Sequence, residues 1–276
     1  MTQTAWRLTL VSWGMFLLAA GTAGAQAPPD LRAERAAWSD WLAHSAVSPY
    51  TAVAQVAIGS GLTLGPADAE LPLAGFGAAE VRAAGGSITL ASARETRQLP
   101  RGRPVRAGRY TFVGGGAADQ PLVTVFDSAK ARGTPHWFPY DASLAFVGPL
   151  IAPDSVRRRR VLSPDGVEVQ AEDAGSVVIP LSGQPVRLAV MRLPDPVTGE
   201  TSLEIYFRDG TNGHDTYPAG RFVALTPAGQ GRWRLDFNRA RNPFCSYSAA
   251  YACPAPWRGN SLPVDIRAGE QYTPKE

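Results

Sequence analysis

Between residues 50 and 126 the apolar positions come in short bursts: VAQVAIG, LTLG, ELPL, GSITLAS, PVRAGRYTFVG and PLVTVFD. Each is rich in Val, Ile, Leu and Thr and bounded by Gly, Pro or Asp, which predicts short strands joined by tight turns. A second series follows at 144–147, 158–162, 167–170, 176–180, 186–193, 202–207, 221–225 and 232–238. Before both series, Leu31, Trp38, Trp41 and Leu42 recur at helical spacing with charged residues between them. Asp30 is placed to cap an amphipathic helix over 31–44 that Ser45 and Pro49 close. Its aromatic face is expected to pack on the β-module that follows. The predicted fold is all-β: two antiparallel sandwich- or barrel-like modules preceded by a short N-terminal helix. The expected divisions are 26–45 for leader and helix, 46–130 for the first β-module and 131–276 for the second.

The first 25 residues read differently. Arg7 precedes the apolar run LTLVSWGMFLLAA, and small residues follow it. This three-part order predicts a secretory leader, too short to favour a bilayer span. Two A-x-A sites are present, and Pro28 directly after the second favours cleavage after Ala25 over Ala27. An uncleaved anchor is the competing reading, and no cysteine follows the run to take a lipid. The expected location is periplasmic or secreted, with no membrane span after cleavage. The chain has 28 glycines and 24 prolines, spread as punctuation between apolar bursts. Its 27 basic and 24 acidic residues give a formal charge of +3. Loss of Arg7 with the leader brings that nearer zero, so bulk electrostatics propose no nucleic-acid partner. The run Arg157 to Arg160 reads as a solvated edge strand, because successive side chains on a strand face opposite ways.

Polar residues crowd together after residue 207. Asp209-Gly210-Thr211-Asn212-Gly213 is turn chemistry; His214, Asp215, Thr216, Tyr217 and Arg221 are not explained by a turn. Asp236 and Asn238 alternate on the predicted strand 232–238 and so share a face. Asn242-Pro243 then opens a long irregular loop, a common place for function. These residues define a candidate site at one end of the second module. Its possible catalytic members are Asp209, His214 and Asp236; its possible ligand-binding members are Arg221, Asn238 and Asn242. The alternative for Arg221 is a structural ion pair with Asp209 or Asp236. Cys245 and Cys253 enclose SYSAAYA, longer than the roughly two to four residues of a metal knuckle. In an oxidising compartment a disulfide is expected, with paired thiols or metal ligands joined by a histidine as alternatives. No P-loop, G-x-S-x-G or H-E-x-x-H is present, and no cofactor or metal is called. His136 and His214 with Asp209 or Asp236 could hold one ion, though no spacing argues for it.

The segments HWFPYD, FRDGTNGHDTYPAGRF and LDFNRARNPFCSYSAAYACPAPWRGNSLPVDIRAGE resemble the bacterial and archaeal family called domain of unknown function 1684. The resemblance implies no reaction. In the first half, LTLGPADAELPL followed by GSITLAS is similar to the opening of a forkhead-associated sandwich. Gly65-Pro66 stands where that family has the Gly-Arg pair that holds phosphothreonine, so phosphopeptide binding is not carried over. Three functions stay open: binding of a small polar or anionic ligand through Arg221, Asn238 and Asn242; hydrolysis by Asp209 or Asp236 with His214, with or without a metal; and a structural or interaction role.

Overall fold

The structure, a computed structural model, describes residues 26–195 and 200–272, so the predicted leader and its cleavage site lie outside the described residues. The chain opens with helix α1 (Pro29–His44), in which Pro28 is the N-cap and Asp30 sits inside the first turn. The predicted cap is therefore displaced: proline is pre-organised for the first helical turn, and Asp30 serves the helix dipole instead.

Nine strands follow among the described residues of the first half: β1 (Ala52–Ala57), β2 (Leu62–Gly65), β3 (Leu71–Pro72), β4 (Ala79–Ala84), β5 (Ser87–Ser92), β6 (Thr96–Gln98), β7 (Pro104–Ala107), β8 (Tyr110–Gly116) and β9 (Pro121–Asp127). They form two sheets, β1-β9-β8-β7 and β3-β2-β4-β5-β6. Ile58, Leu64, Val81, Ile88, Phe112, Val123 and Val125 fill one shared core. All pairs are antiparallel except β2 with β3, where Leu64 lies beside Leu71 in parallel register.

The second half contains β10 (Ala145–Pro149), β11 (Arg158–Leu162), β12 (Glu168–Leu181), β13 (Gln184–Pro194), β14 (Thr201–Phe207), β15 (Arg221–Pro227) and β16 (Arg232–Asp236). They make one antiparallel sheet in the order β10-β16-β15-β14-β13-β12-β11. Two predicted strands merge into β12, which bulges between Asp173 and Gly175. Gly175 has φ +119°, and a Cβ there would stand 2.0 Å from the Ile151 carbonyl oxygen. Only glycine lets the two backbones bridge at Ile151 and Ser176.

This sheet is buried on both faces. Ile205, Phe207, Val223, Leu225 and Leu235 enter one core. Their neighbours Tyr206 and Phe222 enter another with Met191 and Trp257, the two rings stacked 4.1 Å apart. Alternation sorts adjacent side chains between the cores. A fully buried side chain such as Ile205 contributes about 1.5–3 kcal/mol. β11 is the exposed edge, where Arg158, Arg159 and Arg160 pair with Glu172, Asp173 and Glu168.

Helix α1 does not pack where its position in the chain suggests. Its Trp38 and Trp41 stack on each other and lean on Phe244. Asp30 and Glu34 pair with Arg239, and Glu34 also takes Arg241 at 2.5 Å. Arg35 donates to the Asn238 carbonyl at 2.8 Å. The acidic side of the helix thus meets a basic loop near the other end of the chain. Among the described residues no helix is long and apolar enough to cross a membrane.

Candidate functional site

The polar block does not form one shared site; the structure divides it into three. Asp209 lies two residues beyond the end of β14 and closes a turn, its Oδ1 accepting from Thr211 N at 2.9 Å and from Ile266 N at 3.3 Å. Its Oδ2 accepts from Arg221 Nη2 at 2.8 Å, and both side chains are fully buried. Arg221 also donates to the carbonyls of Ile266 and Ala268. Both of its terminal nitrogens are thus spent on the protein, so the predicted fork for an anionic ligand is corrected to an internal clasp. It pins the final segment onto the sheet. His214 sits in the exposed part of the same turn, apart from this buried carboxylate.

The second group is a brace. β16 ends at Asp236, and Asn238 lies in the one-turn helix Phe237–Arg239. The predicted strand over 232–238, and the shared face it implied, are therefore corrected. Asp236 Oδ1 instead caps that turn, accepting from Asn238 N at 3.0 Å and Nδ2 at 2.8 Å. Asn238 exchanges two further hydrogen bonds with the Asp141 backbone. Such local bonding is what short polar side chains do at turns. Neither Asp236 nor Asn238 keeps a group for a ligand.

Asn242 differs. Its amide nitrogen donates to the Gln271 carbonyl at 3.0 Å, while its Oδ1 is buried with no partner. It borders a cavity of about 130 Å³ together with Tyr50, His136, Ser246, Tyr247, Glu270 and Tyr272. Ser246 Oγ is also buried and unpaired. Native proteins rarely strand buried polar atoms, so two at one cavity leave hydrogen-bonding capacity there for a ligand or water.

Glu270 is the charged group of this cavity, and sequence reasoning assigned it no role. Its carboxylate accepts from Tyr247 Oη at 2.5 Å and from Asn242 N at 3.0 Å. Burial nonetheless pushes its pKa up to about 7. The same burial, together with the Glu270 charge, raises Tyr50 to about 12. Gly269 positions the carboxylate: its φ is +80°, and a Cβ would lie 2.7 Å from the carbonyl oxygens of Phe237 and Ala240. The available signal was alternation. Leu262, Ile266 and Ala268 are buried members of the main core, and the same period of two carries Glu270 inward.

Cys245 and Cys253 form a disulfide, as the spacing suggested. The bond closes the loop that holds Ser246 and Tyr247 at the cavity. Replacing both cysteines by serine is expected to lower unfolding stability by about 2–3 kcal/mol, the chain-entropy value for so short a loop. Urea denaturation of the double variant checks this. Among the described residues no three His, Cys, Asp or Glu side chains are grouped to hold a metal.

A larger cleft of about 480 Å³ lies among the first-half sheets beside Phe76, Leu90 and Arg94. It contains none of the buried unpaired polar atoms and so has less claim to chemistry.

An uncharacterized protein of Haloarcula marismortui, solved in solution by NMR, is similar at 26% identity with a TM-score of 0.43. The similarity covers 50% of this chain and 76% of that one. No curated protein matches. The family described as proteins of unknown function, DUF1684, matches residues 133–271. That stretch contains His136, Asn242, Ser246, Tyr247 and Glu270, and spans half of the chain: the protein belongs to the DUF1684 family.

Proposed function

We propose that this is an exported protein that binds a small polar ligand in the Glu270 cavity. The observation that carries the reading is the pair of buried, unpaired atoms, Asn242 Oδ1 and Ser246 Oγ, at one small cavity. Leaving such atoms dry costs about 1–3 kcal/mol each. A ligand that satisfies them offsets that cost. Relative to the site expected from sequence, only Asn242 remains a ligand contact. The anionic option loses its support, because Arg221 is spent inside the protein.

Export rests on the leader-like opening of the sequence and is supported by the Cys245–Cys253 bond, which persists in oxidising compartments. Hydrolysis through Asp209, Asp236 and His214 draws no support from the geometry. Asp209 is clasped by Arg221, Asp236 caps a turn, and His214 stands at the surface.

The test is the intact mass of the exported protein, measured native and then denatured. A small excess that disappears on unfolding, and is missing from Ser246→Ala, is the expected result. A native mass equal to the oxidised chain alone, with Asn242 Oδ1 and Ser246 Oγ bridged by water in a crystal, would reduce the site to a hydrogen-bond network.

A further inference from the structure

The charges around the cavity are not balanced. Arg221 lies behind Glu270, but Asp209 already neutralises it at 2.8 Å. Arg241 acts on Glu270 through space, yet is paired with Glu34 at 2.5 Å. Each guanidinium thus already faces another carboxylate, Arg221 with Asp209 and Arg241 with the Glu34 it shares with Arg239. Glu270 is 1% exposed and is met by hydrogen bonds, not by an ion-pair partner: from Tyr247, from the Asn242 backbone and from the Asn242 side chain. A buried carboxylate without a paired cation is a costly arrangement.

The free capacity of the cavity is mostly for accepting, with the Ser246 hydroxyl able to donate as well. A carboxylate offers about four lone-pair sites; Tyr247 and Asn242 take up to three of those on Glu270 and leave room for a further donor. Asn242 Oδ1 can only accept, and Ser246 Oγ has unused lone pairs. The remaining walls include the rings of Tyr50, Tyr247 and Tyr272, the first two with centroids 5.0 Å apart. Aromatic faces attract cations and are indifferent or hostile to anions. A protonated primary amine carries three N–H donors and one positive charge. It matches three acceptors, one uncompensated negative charge and an aromatic wall. The site holds about 130 Å³ and opens to solvent past the exposed His136, so a small ammonium group fills it while any longer substituent can extend outward.

From these observations we infer that the cavity is a receptor site for a small primary ammonium ion, held by Glu270, Asn242 Oδ1 and Ser246 Oγ. This rests on the small-ligand reading above and narrows it to one chemical class. Binding is linked to the Glu270 proton, because the ammonium and the proton compete for the same carboxylate. The other titratable or charged groups around Glu270 are the Tyr50, Tyr247 and Tyr272 phenols, the His136 imidazole on the cavity wall, and the two paired guanidiniums of Arg221 and Arg241.

Ethylammonium, acetamide and acetate are close in size and differ in charge, so titrating the exported protein with each isolates that variable. The readout is the NMR shift of the Asn242 side-chain amide at pH 8. Ethylammonium is expected to bind at least about tenfold more tightly than acetamide, a difference of about 1.4 kcal/mol, and acetate not at all. Its affinity should fall by about a hundredfold between pH 8 and pH 5, about tenfold per unit below the Glu270 titration. Glu270→Gln should remove both the preference and the pH dependence. Ser246→Ala, which leaves the carboxylate and its partners in place, should weaken ethylammonium about fivefold. Binding of acetamide or acetate ahead of ethylammonium overturns the ammonium assignment while leaving a polar-ligand site standing. A pH dependence that survives in Glu270→Gln overturns it as well. Silence from all three probes sinks the assignment, and the native mass then decides separately whether the cavity holds any ligand.

Discussion

Arg221→Met is expected to lower the unfolding free energy by about 3–5 kcal/mol, the usual result of removing one partner from a buried ion pair. Met fills a similar volume, so the loss is electrostatic more than steric. Asp209 would keep Thr211 and Ile266 as donors but lose its only cation while fully buried. The carbonyls of Ile266 and Ala268 would lose their donors at the same time. Those carbonyls lie in the segment that leads to Glu270, so the damage should reach the cavity. Joining Asp209→Leu to Arg221→Met should recover much of the stability, since removing both charges is far less harmful than stranding one. Urea midpoints with an unchanged slope would attribute the effect to the native state. A loss below about 1 kcal/mol, together with lost ligand binding, would restore Arg221 to the ligand-binding role its sequence context suggested.

The buried Arg221 of the structure reverses the ligand-binding role expected from sequence. Arg221 and Asp209 were legible as a possible pair, but their spacing could not say whether the pair faces solvent, ligand or core. Burial decides that, and burial here comes from the final segment folding across the sheet through contacts such as Gly210 N to the Val264 carbonyl. Strands with strong apolar bursts were read closely: β14 and β15 begin within a residue of their predicted starts. β4, with the sequence AEVRAA, was missed because its composition is poor in β-formers. It is held by pairing with β5 and by the single buried Val81. The end of β16 was overrun because alternation does continue through Asn238, while Asp236 turns the chain first. The partner of α1 was invisible for another reason. The basic loop it meets is more than two hundred positions away, and local patterning holds no information on such pairings.

Glu270 is the case where site and stability oppose each other, and pH separates them. Its folded pKa is raised to about 7 from a reference of 4.5. Between those values the folded state holds a proton that the unfolded state has released. Stability therefore falls as pH rises through this window, is fully present below about 4.5, and is exhausted above about 7. From pH 5 to pH 8 the loss attributable to Glu270 is about 2–3 kcal/mol. Glu204, raised to about 7 by the same cause, slopes in the same direction. The comparison that isolates Glu270 is thus wild type against Glu270→Gln. The variant is expected to gain about 2–3 kcal/mol on the wild type over that range, read from urea midpoints at each pH. A difference that stays flat would mean the carboxylate is ionised at ordinary pH in the folded protein, with water reaching the cavity. A sloped difference means the fold tolerates an uncompensated carboxylate at neutral pH, where Gln would serve stability better. Groups retained against stability are characteristic of sites kept for binding. Saturating ethylammonium should then flatten the wild-type slope, because it supplies the cation that the fold withholds.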